Sequence, residues 1–201
     1  SFWHDTLNCA RLVREILPEA KIITGGYISN QLWREGLESG CIDYIVIGEG
    51  EVTIMELLKA INSGVTGLTD VKGLAYLKNG MPFKTPNREF IQDLDTLPMP
   101  AYDLFPMDRY SLAPFGGSIG FTATYSRGCT GRCKFCSETL LWRHCWRGHS
   151  PEFMVESLSL LRNKYNKRVF YIGDDDFLHD PARTEKFIEL MIKNKVDVKM
   201  W

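Results

Sequence analysis

Apolar runs of strand length recur along this chain, each ending in a loop of small or charged residues and leading into an amphipathic helix. In the first half a helix is read from Cys9, Leu12, Val13, Ile16 and Leu17, spaced i, i+3, i+4, i+7, i+8, and Pro18 ends it. Lys21 to Thr24 follows as a short buried strand, Gly25-Gly26 as a turn, a second helical stretch runs around Gln31 to Glu38, and Ile42 to Ile47 is the next strand. After Gly48-Glu49-Gly50-Glu51 comes a third helix with Ile54, Leu57, Leu58 and Ile61 on one face. Helices alternating with strands through short connections predict a parallel sheet wrapped by helices. Two strands alone are too few for a stable open sheet.

The series is then interrupted. Leu74 to Leu77 and Met81 to Phe83 flank Asn79-Gly80, the strongest two-residue hairpin signal, with Pro82 expected on an edge. From Asp93 to Phe115 four prolines (Pro98, Pro100, Pro106, Pro114) lie among aspartates, leucines and aromatics, a composition too apolar to stay solvated and therefore read as an ordered inter-domain connection. Alternation resumes with a strand at Phe121 to Tyr125, a cysteine-bearing loop, and a helix announced by Ser150 as N-cap and Pro151 at its first position, with Met154, Leu158, Leu161 and Tyr165 on its face. Val169 to Ile172 is the next strand, Asp174-Asp175-Asp176 stands at its end, and Asp180-Pro181 caps a helix running through Met191. Loops at the C-terminal ends of parallel strands form the active face of α/β folds, so cysteines and aspartates are expected side by side. The chain starts at Ser1 in a helical pattern and stops at Trp201 inside a strand pattern, Val196 to Trp201, and is expected to be a piece of a longer protein.

Composition narrows the function classes. At 201 residues and 44% hydrophobic the chain can bury a core. A formal net charge of −1 gives no attraction to a polyanion, so no nucleic acid is expected, and a small-molecule substrate is the better expectation. No apolar run approaches the roughly 18 residues of a membrane span and no signal-peptide pattern opens the chain, which argues against a membrane and for a cytoplasmic location. Six cysteines, three of them within eight residues, point to metal in a reducing compartment and not to a disulfide scaffold.

Those three are Cys129, Cys133 and Cys136, a C-x3-C-x2-C spacing. Thiolates hold iron-sulfur clusters, and three ligands to a four-iron cubane leave one iron open, as a catalytic site requires. Zinc is the competing reading, because His144 or Cys145 could complete a closed tetrahedral set, although paired knuckles are lacking. Arg127, Arg132, Lys134, Arg143 and Arg147 crowd the same stretch, either to offset cluster charge or as a solvated basic loop.

This motif, with Phe135 just before the third cysteine and Ser126-Arg127-Gly128 leading into the first, resembles that of radical S-adenosylmethionine enzymes. Thr130 stands where cobalamin-containing relatives often have proline. The resemblance implies a 4Fe-4S cluster on the three cysteines, S-adenosylmethionine chelating the open iron, Phe135 near its adenine, and an external one-electron reductant. Gly173-Asp174-Asp175-Asp176-Phe177 resembles the Asp-Asp-x-Phe segment of cobalamin-containing relatives, where a loop after the second strand meets the cofactor's ammonium; Asp174 and Asp175 are the matching carboxylates. Three adjacent carboxylates repel one another and favour a cationic partner, while a divalent-metal site or helix capping is the plainer alternative. Gly25, Gly26, Glu49 and Gly50, each directly after a strand, resemble the loops beside the nucleotide tail in the later half of a cobalamin-binding domain, although a tight turn and a helix N-terminus account for them equally.

The fold class expected is α/β, with a partial Rossmann-like cobalamin-binding domain followed by a partial (β/α) radical S-adenosylmethionine barrel. Its expected parts are residues 1–66, a hairpin and connection over 67–118, and the start of the barrel over 119–201. The implied activity is reductive cleavage of S-adenosylmethionine to a 5′-deoxyadenosyl radical, with cobalamin-dependent methyl transfer as the leading reaction. Cyclisation, rearrangement or methylthiolation by the same radical chemistry, and a non-catalytic iron-sulfur or zinc module, are the alternatives. His4, His149 and His179 show no metal spacing; Trp33, Trp142 and Trp146 are read as packing residues, and Cys9 and Cys41 as buried small hydrophobes.

Overall fold

The computed structural model describes residues 2–64, 67–112, 117 and 119–201, apart from the side chain of Thr139. Pro114 and the expected limits at residues 66 and 118 lie outside the described residues. The chain divides into two compact units, Ser1–Ile91 and Gln92–Trp201.

The first unit runs α1 (Phe2–Ile16), β1 (Ile23–Thr24), α2 (Tyr27–Gln31), α3 (Trp33–Glu38), β2 (Tyr44–Val46), α4 (Glu51–Asn62), β3 (Leu74–Lys78) and β4 (Met81–Lys84). Its sheet has the order β1-β2-β3-β4. The expected parallel pair is present, with Ile23 opposite Tyr44, and the hairpin extends it antiparallel, with Tyr44 opposite Tyr76. The hairpin thus completes the sheet that two strands alone could not sustain. Asn79 and Gly80 both take positive φ, 53° and 78°, as the tight turn demands, and Pro82 sits on the edge strand opposite Leu77. The single helix expected around Gln31 to Glu38 is two short ones, broken at Leu32, whose φ and ψ of −104° and 26° leave the helical region.

Helix α1 forms where its periodicity puts it but turns a different face inward. Trp3, Leu7 and Ala10 are buried against Leu37, Ile45 and Ala75, whereas Leu12, Ile16 and Leu17 are 55%, 67% and 58% exposed. The Trp3 indole decides this, because it fills the space beside Gly36 and donates from Nε1 to Glu35 at 2.8 Å. Cys9 rides on the exposed side, contrary to expectation, while Cys41 is buried as expected. In α4 the inward residues are Thr53 and Leu57; Ile54 and Leu58 are exposed.

The second unit contains β5 (Gly120–Ala123), β6 (Ser126–Arg127), α5 (Glu138–Trp142), β7 (Arg147–Gly148), α6 (Pro151–Tyr165), β8 (Val169–Ile172), α7 (Pro181–Lys193) and β9 (Lys199–Met200). Strands β5, β8 and β9 form an all-parallel sheet in that order, with Gly120 opposite Val169 and Val169 opposite Lys199. Parallel neighbours need crossover connections, supplied here by α6 and α7. Both helices start on the expected caps: Ser150 accepts from the Phe153 amide and Asp180 from the Arg183 amide, each followed by proline. Met154, Leu158 and Leu161 of α6 pack with Phe170 of β8 and Phe187 of α7, and each such buried side chain contributes about 1.5–3 kcal/mol relative to exposure.

Candidate functional site

The cysteine loop is a long excursion with a narrow neck. Strands β6 and β7 pair antiparallel, Ser126 opposite Gly148 and Arg127 opposite Arg147, and the His149 amide donates to the Tyr125 carbonyl at 2.8 Å, so residues 128–146 project from a closed stem. Gly128 lies at the stem with φ of 83°, and a side chain there would collide with the Cys145 carbonyl and approach Trp142. This two-residue ladder leaves no periodic signature, which is why the sequence reads the stretch simply as loop.

The four cysteines of the excursion, Cys129, Cys133, Cys136 and Cys145, are all free of disulfides. The sulfurs of Cys129 and Cys133 flank Gly131: a Cβ there would stand 3.2 Å from one and 3.9 Å from the other, and the Gly131 amide donates to Cys129 Sγ at 3.3 Å. The Cys136 amide donates to the Cys133 carbonyl. Among the described residues no three metal-ligating side chains are gathered on one point. The donor set nevertheless fits a thiolate-held cluster in kind and number, with two of the three sulfurs converging on a glycine that leaves them room. Phe135 is 92% exposed, next to the third cysteine. His144, the candidate fourth zinc ligand, uses Nδ1 on the Gly131 carbonyl at 2.8 Å, and Cys145 is exposed.

The aspartate loop leaves β8, the strand beside β5, and its three carboxylates have separate surroundings. Asp174 accepts from the Tyr125 amide at 2.7 Å and from Ser126 Oγ at 2.6 Å, tying β8 to the entry of the cysteine loop. Burial pushes its carboxyl above the ordinary aspartate range, against the pull of those hydrogen bonds and of the Arg183 charge. Asp176 accepts from His179 Nδ1 at 3.0 Å and stands 3.8 Å from Cys129 Sγ, while its carbonyl accepts from Trp146 Nε1 at 2.9 Å. Asp175 is exposed and has no hydrogen-bond partner among the described residues. Phe177 turns inward, edge-on to Phe187.

In the first unit the two glycine loops come together. Gly25, Gly26, Gly48 and Gly50 line one cavity of about 430 Å³ with Val46 and Ile54, at the C-terminal ends of β1 and β2. Asn30 stitches the loops, donating to the Gly26 and Val46 carbonyls and accepting from the Gly48 amide at 2.7 Å. Glu49 is elsewhere: it is buried, and its carboxylate accepts from the Ile91 amide at 2.7 Å. Sequence reasoning passes over Asn30 because a lone asparagine in a short helix carries no pattern.

Comparisons with known proteins find relatives of this chain in sequence and in fold. No family model matches the chain. It is 36% identical over 198 residues, 97% of its length, to an uncharacterised methyltransferase of Pyrococcus horikoshii, and 27% identical over 187 residues, 92% of its length, to an anaerobic magnesium-protoporphyrin IX monomethyl ester cyclase of Synechocystis. The chain spans 42% and 36% of those proteins. Its fold matches the radical S-adenosylmethionine methyltransferase TsrM of Kitasatospora setae (TM-score 0.73, 18% identity, 96% of this chain and 37% of that one). It also matches the cobalamin-dependent S-adenosylmethionine radical enzyme OxsB, solved with aqua-cobalamin and S-adenosylmethionine (TM-score 0.72, 23% identity, 99% and 28%).

Both of these solved neighbours are radical S-adenosylmethionine enzymes, and OxsB is a cobalamin-dependent one. The chain shares its α/β fold with these two enzymes. Among the described residues no helix is long and apolar enough to cross a membrane.

Proposed function

We propose that this chain carries the cluster-binding part of a radical S-adenosylmethionine enzyme, with cobalamin-dependent methyl transfer to a small molecule as its reaction and an external one-electron donor as its reductant. One observation carries the reading: a three-cysteine loop and a carboxylate loop leave the C-terminal ends of adjacent parallel strands, β5 and β8, and Asp174 fastens one to the other. Cys129, Cys133 and Cys136 would hold the 4Fe-4S cluster. When bound, cluster and S-adenosylmethionine together supply one-electron cleavage of the sulfonium carbon-sulfur bond.

The rest falls to the chain's own side chains. Asp174 spends both oxygens on the stem of the loop, and Asp176 serves His179, so Asp175 is the carboxylate left to receive the cofactor's ammonium. Phe135, bare in this structure, is placed in sequence to cover the adenine. The glycine-lined cavity of the first unit offers backbone approach to the cobalamin nucleotide tail through Gly25, Gly26 and Gly50, with Glu49 bracing the loop from behind.

Anaerobic iron-sulfur reconstitution of the full-length protein, followed by electron paramagnetic resonance with and without S-adenosylmethionine, tests this. A 4Fe-4S signal that shifts on adding the cofactor and is lost in Cys133→Ala is the expected result; a colourless zinc protein would overturn it. The relative that is a cyclase supports ring formation as the second reading. Product mass separates the two, since methyl transfer adds a methyl group and ring closure by hydrogen loss does not.

A further inference from the structure

Arg183 stands in the first turn of α7, where the helix dipole disfavours a cation and where acidic residues are absent. Its side chain is nonetheless only 8% exposed, with the guanidinium lying 5.4 Å from the Trp146 ring and 5.8 Å from that of Phe177. Burial disfavours its charge, and the charges of Asp174, Asp180 and Asp95 only partly compensate. Two donors are used, both on the stem of the cysteine loop. Nη2 donates to the Tyr125 carbonyl at 3.0 Å, on the way in, and Nε donates to the His149 carbonyl at 2.7 Å, on the way out. Nη1 is buried without a partner.

The neighbours of this guanidinium are shaped for it. A Cβ on Gly148 would lie 2.9 Å from Arg183 Nε and 2.7 Å from the Trp146 ring. Trp146, which the guanidinium covers, donates to the Asp176 carbonyl and stacks on His179 with centroids 4.6 Å apart. His149 is itself held, its Nδ1 2.8 Å from Asp95 and its ring stacked 3.9 Å from Phe153. One side chain therefore joins both strands of the stem and, through Trp146, the aspartate loop.

Building on the reading of residues 128–146 as the cluster loop, we infer that Arg183 is a positioning residue that clamps the two strands of that loop's stem and so sets the placement of the cysteines against the aspartate loop. Two charge-assisted hydrogen bonds from one rigid fork span two carbonyls in a way that a single ammonium does not. The clamp is therefore a matter of geometry as well as charge.

Hydrogen exchange on the metal-free full-length protein tests the clamp independently of any cluster. In Arg183→Gln, amides of residues 125–127 and 147–149 should lose about tenfold or more of their protection, while those of α6 around Leu158 keep theirs. Arg183→Lys, which retains the charge, should behave like the glutamine variant, and it decides the matter alone if that variant does not fold. Unchanged stem exchange, uniform loss across the whole unit, or wild-type protection in the lysine variant would each overturn the clamp. After reconstitution, both variants should show a broadened or shifted resonance of the reduced cluster at similar iron content; an identical spectrum and iron content would overturn the role in cysteine placement. A wild-type protein that takes up no iron yet shows the exchange difference would sink the cluster reading and leave the clamp standing.

Discussion

A methyl group built on Gly26 or Gly48 of the first unit meets no heavy atom within 4 Å, whereas one built on Gly128 or Gly148 of the second runs into a backbone carbonyl, an indole or the Arg183 guanidinium. The same residue type serves opposite ends. In the first unit Gly26 and Gly48 keep a cavity open beside two strand ends, with backbone conformations that side chains resist. In the second, glycine lets the chain close on itself, so that a long loop leaves the sheet from a locked stem. The same contrast holds for helices: Met154, Leu158 and Leu161 of α6 are fully buried, and Val13 and Ile16 of the α1 stripe are exposed.

The largest expected difference lies in those helices. Leu158→Ala removes a side chain with no exposed surface and should cost about 2–5 kcal/mol in urea unfolding of the 201-residue chain. Ile16→Ala, on the bare side of α1, should change stability by no more than about 0.5 kcal/mol. Equal effects would mean that the α1 stripe is covered in solution, and the contrast between units would fail.

The glycines come next. Gly128→Ala must bear a left-handed conformation, roughly 1–2 kcal/mol, and an overpacked neighbour, roughly 1–3 kcal/mol more. Gly48→Ala, also at positive φ but facing open space, should cost only the first of these. Comparing the two variants by denaturant midpoint isolates the steric part, and a Gly128→Ala as mild as Gly48→Ala would show that the stem is loosely packed.

What was legible in the sequence follows the same division. The caps Ser150 and Asp180, the Asn79-Gly80 turn and strand Val169–Ile172 were readable because each is a local rule obeyed locally. The cysteine spacing and the neighbouring aspartates were readable because the chemistry fixes residue type and the β/α order fixes the face. The inward side of α1 was not, since two apolar stripes compete on that helix and only the distant Glu35 and Gly36 choose Trp3. Arg183 was hidden for a related reason. A cation in a helix's first turn is a weak local oddity, and its partners, Tyr125 and His149, lie more than 30 residues away.

A smaller effect distinguishes the charge of Asp174 from its shape. Asp174→Ala should cost about 1–3 kcal/mol, because the amide of Tyr125 and the hydroxyl of Ser126, both on buried residues, lose their acceptor. Asp174→Asn keeps one oxygen for the amide and an NH2 group that a rotated hydroxyl can receive, and it sheds a charge that burial already disfavours. It should therefore be milder than the alanine variant. If the two are equally damaging in unfolding experiments, the negative charge itself holds the stem.

The smallest expected effect is a pH dependence confined to the second unit. Burial lowers the His149 pKa, outweighing the favourable Asp95 carboxylate, so the folded protein holds this ring neutral to a lower pH than the unfolded chain does. As pH falls through the unfolded value near 6.5, the unfolded state takes up the proton first, and stability declines until the folded value is reached. Asp95 acts in a lower window. Burial opposes its charge, but hydrogen bonds from Ser150 and His149 prevail and hold its carboxyl below the ordinary aspartate range. Its contribution is present above the unfolded pKa, near 3.9, and is lost as pH falls through the folded one. His149→Gln should flatten the part of the stability profile between pH 7 and the lower His149 value, and Asp95→Asn the part below about pH 4. No comparable His pair was found in the first unit among the described residues, so a profile unchanged by both substitutions would remove this difference between the two units.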